Sequence, residues 1–260
     1  MNSTIELLRE RRSVRAYEAR EIAPESKRTI LEALLRAPTA GNMMLYTVIE
    51  IADPQLKATL AETCDHQPFI AKAPWVLLFL ADYQRWYDVF QYSGVAEYCE
   101  QKGQTMRRPE EGDLFLACCD ALIAAQTAVV AAEALGIGSC YIGDIMENYE
   151  THRELLQLPR YVFPITMVCF GYPTKQQQER PQPSRFPQSL IVHRNCYQRL
   201  TPDGLTALFP ETGPAQTSFL PGTVNMGQHT FARKFDTPFM KEMNRSVRAI
   251  LTAWRDGAPE

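Results

Sequence analysis

The chain has 260 residues, 45% hydrophobic and 22% charged, a globular balance with enough length to bury a sizeable core. Its net charge is −3, from 27 basic and 30 acidic residues, which argues against a nucleic-acid binder or a coat for anionic membranes. The seven cysteines form no C-x-x-C pair and several sit in apolar runs, so buried thiols in a reducing cytoplasm are expected, with no disulfide framework and no metal site.

In chain order, MNSTIELLRERR lacks the charged and apolar regions of a signal peptide. STIE has capping-box spacing and opens a helix that ends near RRSVR, residues 11–15. Pro24 can begin a second helix through PESKRTILEALLRA, which PTAGN at 38–42 then breaks. YTVIEIAD (46–53) reads as a strand and PQLKATLAETC (54–64) as a helix. WVLLFLAD (75–82) is apolar throughout, as in a central strand covered on both faces. The aromatic stretch 83–98 suggests a partly covered surface, and GQTMRRPEEGD a loop or disordered tip.

An alanine-rich helix is expected over about 113–135. Its run LFLACCDALIAAQTAVVAAEALG is long enough to span a bilayer, but Asp120, Gln126 and Glu133 favour a buried helix in a protein without a membrane. Gly136 suits the position past its end. A strand near 139–145, a short helix in NYETHRELLQL and a strongly apolar strand at 161–173 follow. After Pro173 come a polar, proline-rich stretch, the turn-rich PETGPAQTSFLPGTVNMG and a last amphipathic helix near PFMKEMNRSVRAILTAW. The expected organisation is a core of residues 1–173 and an arm with helices at 174–260, together one domain, with little core in the arm itself. The fold class is α+β, a small sheet packed under helices.

No dinucleotide fingerprint, phosphate-binding P-loop or H-E-x-x-H is present, and the four histidines are scattered. Any redox chemistry should therefore come from a bound cofactor. Five loops share one character: RRSVR, PTAGN, QPF (67–69), YIGDI (141–145) and RPQPSRF. They combine guanidinium groups for a phosphate with amides, glycine backbone and an aromatic ring for a flat heterocycle. Each alone is an ordinary turn or solvated surface.

The blocks TIELLRERRSVRAY, APTAGNMMLYTVIEI, HQPFIAKAPWVLLFLAD, AAEALGIGSCYIGDIMEN, LLQLPRYVFPITMVCFGYPT and RPQPSRFPQSLIVHRNCY, in that order, resemble the nitroreductase family of FMN-dependent NAD(P)H oxidoreductases. The resemblance implies an α+β homodimer around a central antiparallel or mixed sheet, with exchanged C-terminal arms and FMN at the dimer interface. It implies that Arg11, Arg12, Ser13 and Arg15 hold the phosphate and ribityl chain, joined by Arg185. Asn42 would line the site. Gln67, Pro68 and Phe69 would meet the ring edge, and Tyr141, Ile142, Gly143 and Asp144 would pack beside the ring. Asp144 stands where some relatives have a small residue. No side chain is expected to be catalytic, since the chemistry lies on FMN. Hydride would pass from NADH or NADPH, by a ping-pong mechanism, to a small acceptor such as a nitroaromatic, a quinone or free flavin. A flavin reductase, an ene-type reductase, a reductive dehalogenase and a non-catalytic flavin-binding protein stay open as alternatives.

Overall fold

The computed structural model describes residues 3–209 and 219–257. The turn-rich stretch expected from 210 lies partly outside them. The elements are α1 (Ser3–Glu10), α2 (Pro24–Leu34), β1 (Tyr46–Glu50), α3 (Pro54–Thr63), α4 (Phe69–Lys72), β2 (Trp75–Asp82), α5 (Gln84–Tyr92), α6 (Val95–Glu100) and α7 (Glu111–Ala134). They continue with β3 (Gly138–Ile142), α8 (Tyr149–Leu155), β4 (Val162–Gly171), α9 (Lys175–Glu179), α10 (Pro202–Ala207), α11 (Met226–Thr230) and α12 (Pro238–Asp256). The fold is α+β.

Two compact units emerge, one of Met1–Arg180 with Glu242–Glu260, the other of Pro181–Lys241. In the first, the strands form one sheet in the order β1-β2-β4-β3. Every neighbouring pair is antiparallel, so the expected sheet is antiparallel and not mixed. Alternation along β2 explains its apolar run. Trp75, Leu77 and Phe79 face a core with α2 and α7, while Val76, Leu78 and Leu80 face a second core with α3 and α4. Pro164 in β4 sits opposite Leu80, where the β2–β4 register shifts, and beyond the Met167–Gly171 stretch that pairs with β3. A residue without an N–H is tolerated there.

α7 is apolar on two faces. Ala117, Ala121, Ala124, Ala125, Ala128 and Ala132 are fully buried, and their small side chains let the helix lie close on the sheet. Phe115, Leu116, Leu122 and Ile123 on the other side are exposed. The helix is long and apolar enough to cross a membrane by length and composition, yet its inner face is the protein core. Glu110 and Asp113 cap it reciprocally, and Arg107 grips Asp113 through two hydrogen bonds of 2.5 and 2.9 Å. The segment before α7 is therefore a pinned loop, the first of the two expected readings, and not a disordered tip.

The closing helix also departs from expectation. α12 contributes Ile250, Ala253 and Trp254 to a third buried cluster, with Leu45, Ala81, Tyr161 and Phe163. Trp254 Nε1 donates to the Glu110 carbonyl at 3.1 Å. This helix thus belongs to the core and does more than decorate an arm. In the second unit, Thr201 caps α10 and Asn225 caps α11. Among that unit's described residues only His229 is buried.

Candidate functional site

The chain leaves α1 at Glu10 and runs extended beside β3. Val14 N–H donates to the Ser139 carbonyl at 2.9 Å, and Ser13 and Ser139 form an isolated parallel bridge. Further on, Glu18 N–H donates to the Tyr172 carbonyl at 2.9 Å. Two glycines allow this approach. A Cβ on Gly138 would stand 2.6 Å from Val14 Cγ2, and one on Gly171 would stand 2.5 Å from Tyr17 Cδ1.

The three arginines of RRSVR diverge, because side chains of extended backbone alternate. Arg12 Nη1 donates to the carbonyls of Gln178 and Arg180 at 2.5 and 2.6 Å. Its guanidinium ties this segment to the chain that follows β4. Arg11 and Arg15 act toward β3. Burial pushes the Cys140 thiol up, and the charges of Arg15 and Arg11 oppose it. Burial likewise pushes the Tyr141 phenol up to about 12 against the pull of Arg11. Beside them Ser139 Oγ is buried without a hydrogen-bond partner. Glu133 on α7 also has an unpartnered buried oxygen, and burial raises its carboxyl to about 7 against Arg11 and Arg12. This end offers cationic and hydroxyl donors in a partly desolvated setting, suited to a phosphate.

The loop 39–45 hangs from one carboxylate. Asp120, only 3% exposed, accepts from the Thr39 hydroxyl, from Ala40 N–H at 3.0 Å and from Leu45 N–H at 3.1 Å. Thr39 Oγ1 in turn accepts from Met44 N–H at 2.8 Å. Gly41, Asn42 and Met44 all have positive φ, at 57°, 57° and 50°, a strained backbone for the last two that these bonds hold in place. Asn42 is exposed on this turn. Met44 packs on the same core cluster as Tyr141.

At the other end of β3, Gln67 Nε2 donates to Asp144 Oδ2 and to the Cys64 carbonyl, both at 2.9 Å. The preceding Asp65 and His66 have φ of 56° and 50°, which turns the chain out of α3 and into Pro68 and Phe69. Phe69 is half-buried against the second core cluster, and Ile142 is buried within it. Gly143 has φ −81°, so no backbone demand selects glycine. A Cβ there would meet only Met146 Cε at 4.0 Å; the side facing it is open. Glu147 closes the following turn, with Glu147 N–H on the Asp144 carbonyl at 3.0 Å.

The structure thus joins Arg11, Ser13 and Arg15 to the start of β3, and Gln67 to Asp144 beyond its end. Arg12 spends its hydrogen bonds on the chain after β4, though its charge still reaches Glu133. Arg185 lies exposed in the second unit, in irregular backbone. A cavity of about 530 Å³ between α8 and α12, lined by Tyr149, Arg153, Leu158 and Ala253 among others, includes none of the anticipated residues. Sequence reasoning missed Asp120, Glu133, Ser139 and Glu147 as site residues. Asp120 and Glu133 had a signal, carboxylates inside an apolar helix. Ser139 and Glu147 had none.

The sequence profile described as the nitroreductase family matches residues 8–172, which include every anticipated site residue except Arg185. The chain belongs to the nitroreductase family. It is 34% identical over 207 residues to an FMN reductase [NAD(P)H] of Bacillus subtilis, covering 80% of this chain and 78% of that protein. It is 31% identical over 202 residues to an oxygen-insensitive NADPH nitroreductase of Salmonella typhimurium, covering 77% of each. Among solved structures, the NADPH:FMN oxidoreductase of Vibrio harveyi complexed with NAD+ superposes with a TM-score of 0.69 at 28% identity, over 80% of this chain and 83% of that one. The hypothetical oxidoreductase YcnD of Bacillus subtilis superposes with a TM-score of 0.77 at 27% identity, covering 100% of both chains. As a nitroreductase-family member the chain is of an enzyme type, NAD(P)H-dependent oxidoreductase.

Proposed function

We propose that this chain binds FMN along β3 and uses it to pass hydride from NADH or NADPH to a small acceptor. The carrying observation is the polarity of the site. Cationic and hydroxyl groups gather at Ser139 and an amide–carboxyl pair lies just beyond Ile142, with roughly 10 Å of strand between. An elongated ligand with a phosphate at one end and a hydrogen-bonding ring at the other matches that order. Arg11, Ser13 and Arg15 would take the phosphate, with Ser139 Oγ as a further donor. The loop carrying Asn42, the Pro68–Phe69 turn and the backbone of Tyr141, Ile142 and Gly143 would wall the ring, and Gln67 and Asp144 would meet its edge. Arg12 would hold the chain after β4 in place, and Arg185 keeps only the role that the resemblance implies. FMN, when bound, supplies the hydride-carrying chemistry.

The acceptor is a nitroaromatic, a quinone or free flavin, and nicotinamide leaves before it enters. Free flavin is favoured as a second reading by relatives named FMN reductase, in Bacillus subtilis. The working unit is a homodimer. The exposed Phe115, Leu116, Leu122 and Ile123 on α7 form an apolar face that a second copy of the chain would cover, since a helix apolar all round is stable only when buried all round.

The test is anaerobic titration of the purified yellow protein with NADH and with NADPH, followed by a panel of acceptors. Bleaching by a nicotinamide and recovery on adding acceptor is the expected result. A colourless protein that takes up no FMN overturns the reading. A yellow protein that no nicotinamide bleaches is a flavin-binding protein without this activity.

A further inference from the structure

Glu147 is 5% exposed, and its Oε1 has no hydrogen-bond partner. It follows Asp144 by three residues on the same 3₁₀ turn. The groups that face it are almost all acidic. Asp144 comes from its own turn, Asp65 from the turn after α3, and Glu242 from α12. The cation near Glu242, Arg245, is already engaged by Glu150 and Glu242, at 2.7 and 2.8 Å. His152 on α8 bonds through both ring nitrogens, to the Ile145 carbonyl and Thr63 Oγ1, and burial pushes its imidazole down, toward the neutral form. Cys64 nearby is buried, its thiol pushed up by burial and then by Asp144 and Glu147. No group of three His, Cys, Asp or Glu among the described residues could hold a metal ion. A buried carboxyl with an orphan oxygen, three acidic neighbours and, among the described residues, no cation of its own is instead neutralised by a proton.

We propose that Glu147 and Asp144 are a proton-sharing carboxyl pair, in which protonated Glu147 donates to Asp144 and so positions the carboxyl that Gln67 reads at the ring end of the site. Glu147 is a positioning residue here and touches no substrate. With the proton present, the pair carries one negative charge and Asp144 is held between Glu147 and the Gln67 amide. As pH rises the proton leaves Glu147 for solvent. Two adjacent carboxylates then repel, and the Gln67–Asp144 arrangement loosens. Burial first, and then Asp144 and the other acids, raise the Glu147 carboxyl to about 7, which puts the change near neutral pH. The inference rests on the FMN reading for its effect on binding, and for the pair itself on the burial and orphan oxygen of Glu147 and its place three residues after Asp144 on one turn.

The test compares wild type with Glu147→Gln, which keeps the shape and cannot ionise. FMN dissociation constants are measured by flavin fluorescence from pH 5.5 to 9. The wild-type constant should weaken several-fold relative to the variant as pH passes through about 7, and Asp144→Asn should move that step to lower pH. A ratio of the two constants that stays flat across the range overturns the proposal.

A second measurement needs no FMN. The unfolding free energy of the apoprotein is followed against pH for both chains. A carboxyl raised on folding contributes stability that is lost as pH rises from its unfolded value toward about 7, so the advantage of Glu147→Gln over wild type should grow across that window and level off above it. A constant difference overturns the pair even if FMN binds. Absence of FMN binding at any pH, with the apoprotein difference intact, overturns the FMN reading and leaves the pair standing. If Glu147→Gln fails to fold, the infrared band of a protonated carboxyl decides, read in Glu133→Gln so that the other carboxyl raised to about 7 does not contribute. It should fade between pH 6 and pH 8, and a band absent or unchanged across that range overturns the proposal.

Discussion

Gln67 and Asp144, 77 positions apart in sequence, are joined by a 2.9 Å hydrogen bond from amide to carboxyl. The same amide nitrogen donates to the Cys64 carbonyl, so one side chain sets the turn after α3 against the turn after β3. Gln67→Leu keeps the size and removes the donor. With about 1 kcal/mol per hydrogen bond, FMN affinity should fall roughly five- to tenfold, read by fluorescence titration. Unchanged affinity would remove Gln67 from the site.

The arginines of RRSVR should separate by function. Arg11→Ala or Arg15→Ala removes a charged donor facing β3, and loss of a charge-assisted bond of about 1.5–3 kcal/mol weakens FMN binding roughly ten- to a hundredfold. Raising salt should erode wild-type affinity and leave the variants less affected. Arg12→Ala instead frees the carbonyls of Gln178 and Arg180. Its expected signature is faster proteolysis between 175 and 185 with a smaller change in FMN affinity. Equal effects of all three substitutions on FMN would contradict this division.

Asp120→Ala strips three acceptor bonds from the strained 39–45 loop. The part-buried N–H of Ala40 and the buried N–H of Leu45 are left without partners, so destabilisation of about 2–4 kcal/mol is expected by denaturant unfolding. Asp120→Asn keeps an acceptor oxygen and should lose less. If both variants unfold like wild type, the loop is held by other contacts.

Gly138→Ala and Gly171→Ala place a Cβ at 2.6 Å from Val14 and 2.5 Å from Tyr17. Overpacking of this kind costs about 1–3 kcal/mol. Because the crowded partner is the segment that carries Arg11 and Arg15, the variants should also lose FMN. Gly136→Ala is the control. It has φ +71° and open space around it, so it strains the helix end and leaves the 11–18 segment alone.

The exposed face of α7 gives a prediction for assembly. Leu116→Asp or Ile123→Asp sets a charge among Phe115, Leu116, Leu122 and Ile123 and should convert a dimer to monomer in analytical ultracentrifugation. A wild-type monomer at micromolar concentration would count against the homodimer outright.

Local physics made much of this protein readable from its residues. β2 appeared at its observed limits, Trp75–Asp82, because a strand covered on both faces has no polar alternation to blur its ends. Pro24 marked the first residue of α2, since a ring without an N–H fits where no helical partner exists. The order of the loops identified the family, and that order is a one-dimensional property. Tertiary structure alone decided which arginine faces which way, because backbone pairing with β3 sets the alternation of Arg11, Arg12 and Arg15. It alone returned α12 to the core, through a cluster that joins Ile250, Ala253 and Trp254 to residues as distant in sequence as Leu45 and Ala81. It also turned Asp120 into the hinge pin of a loop and left Glu147 buried among carboxyls. Burial and partnership are properties of neighbours in space, and distance along a sequence does not encode them.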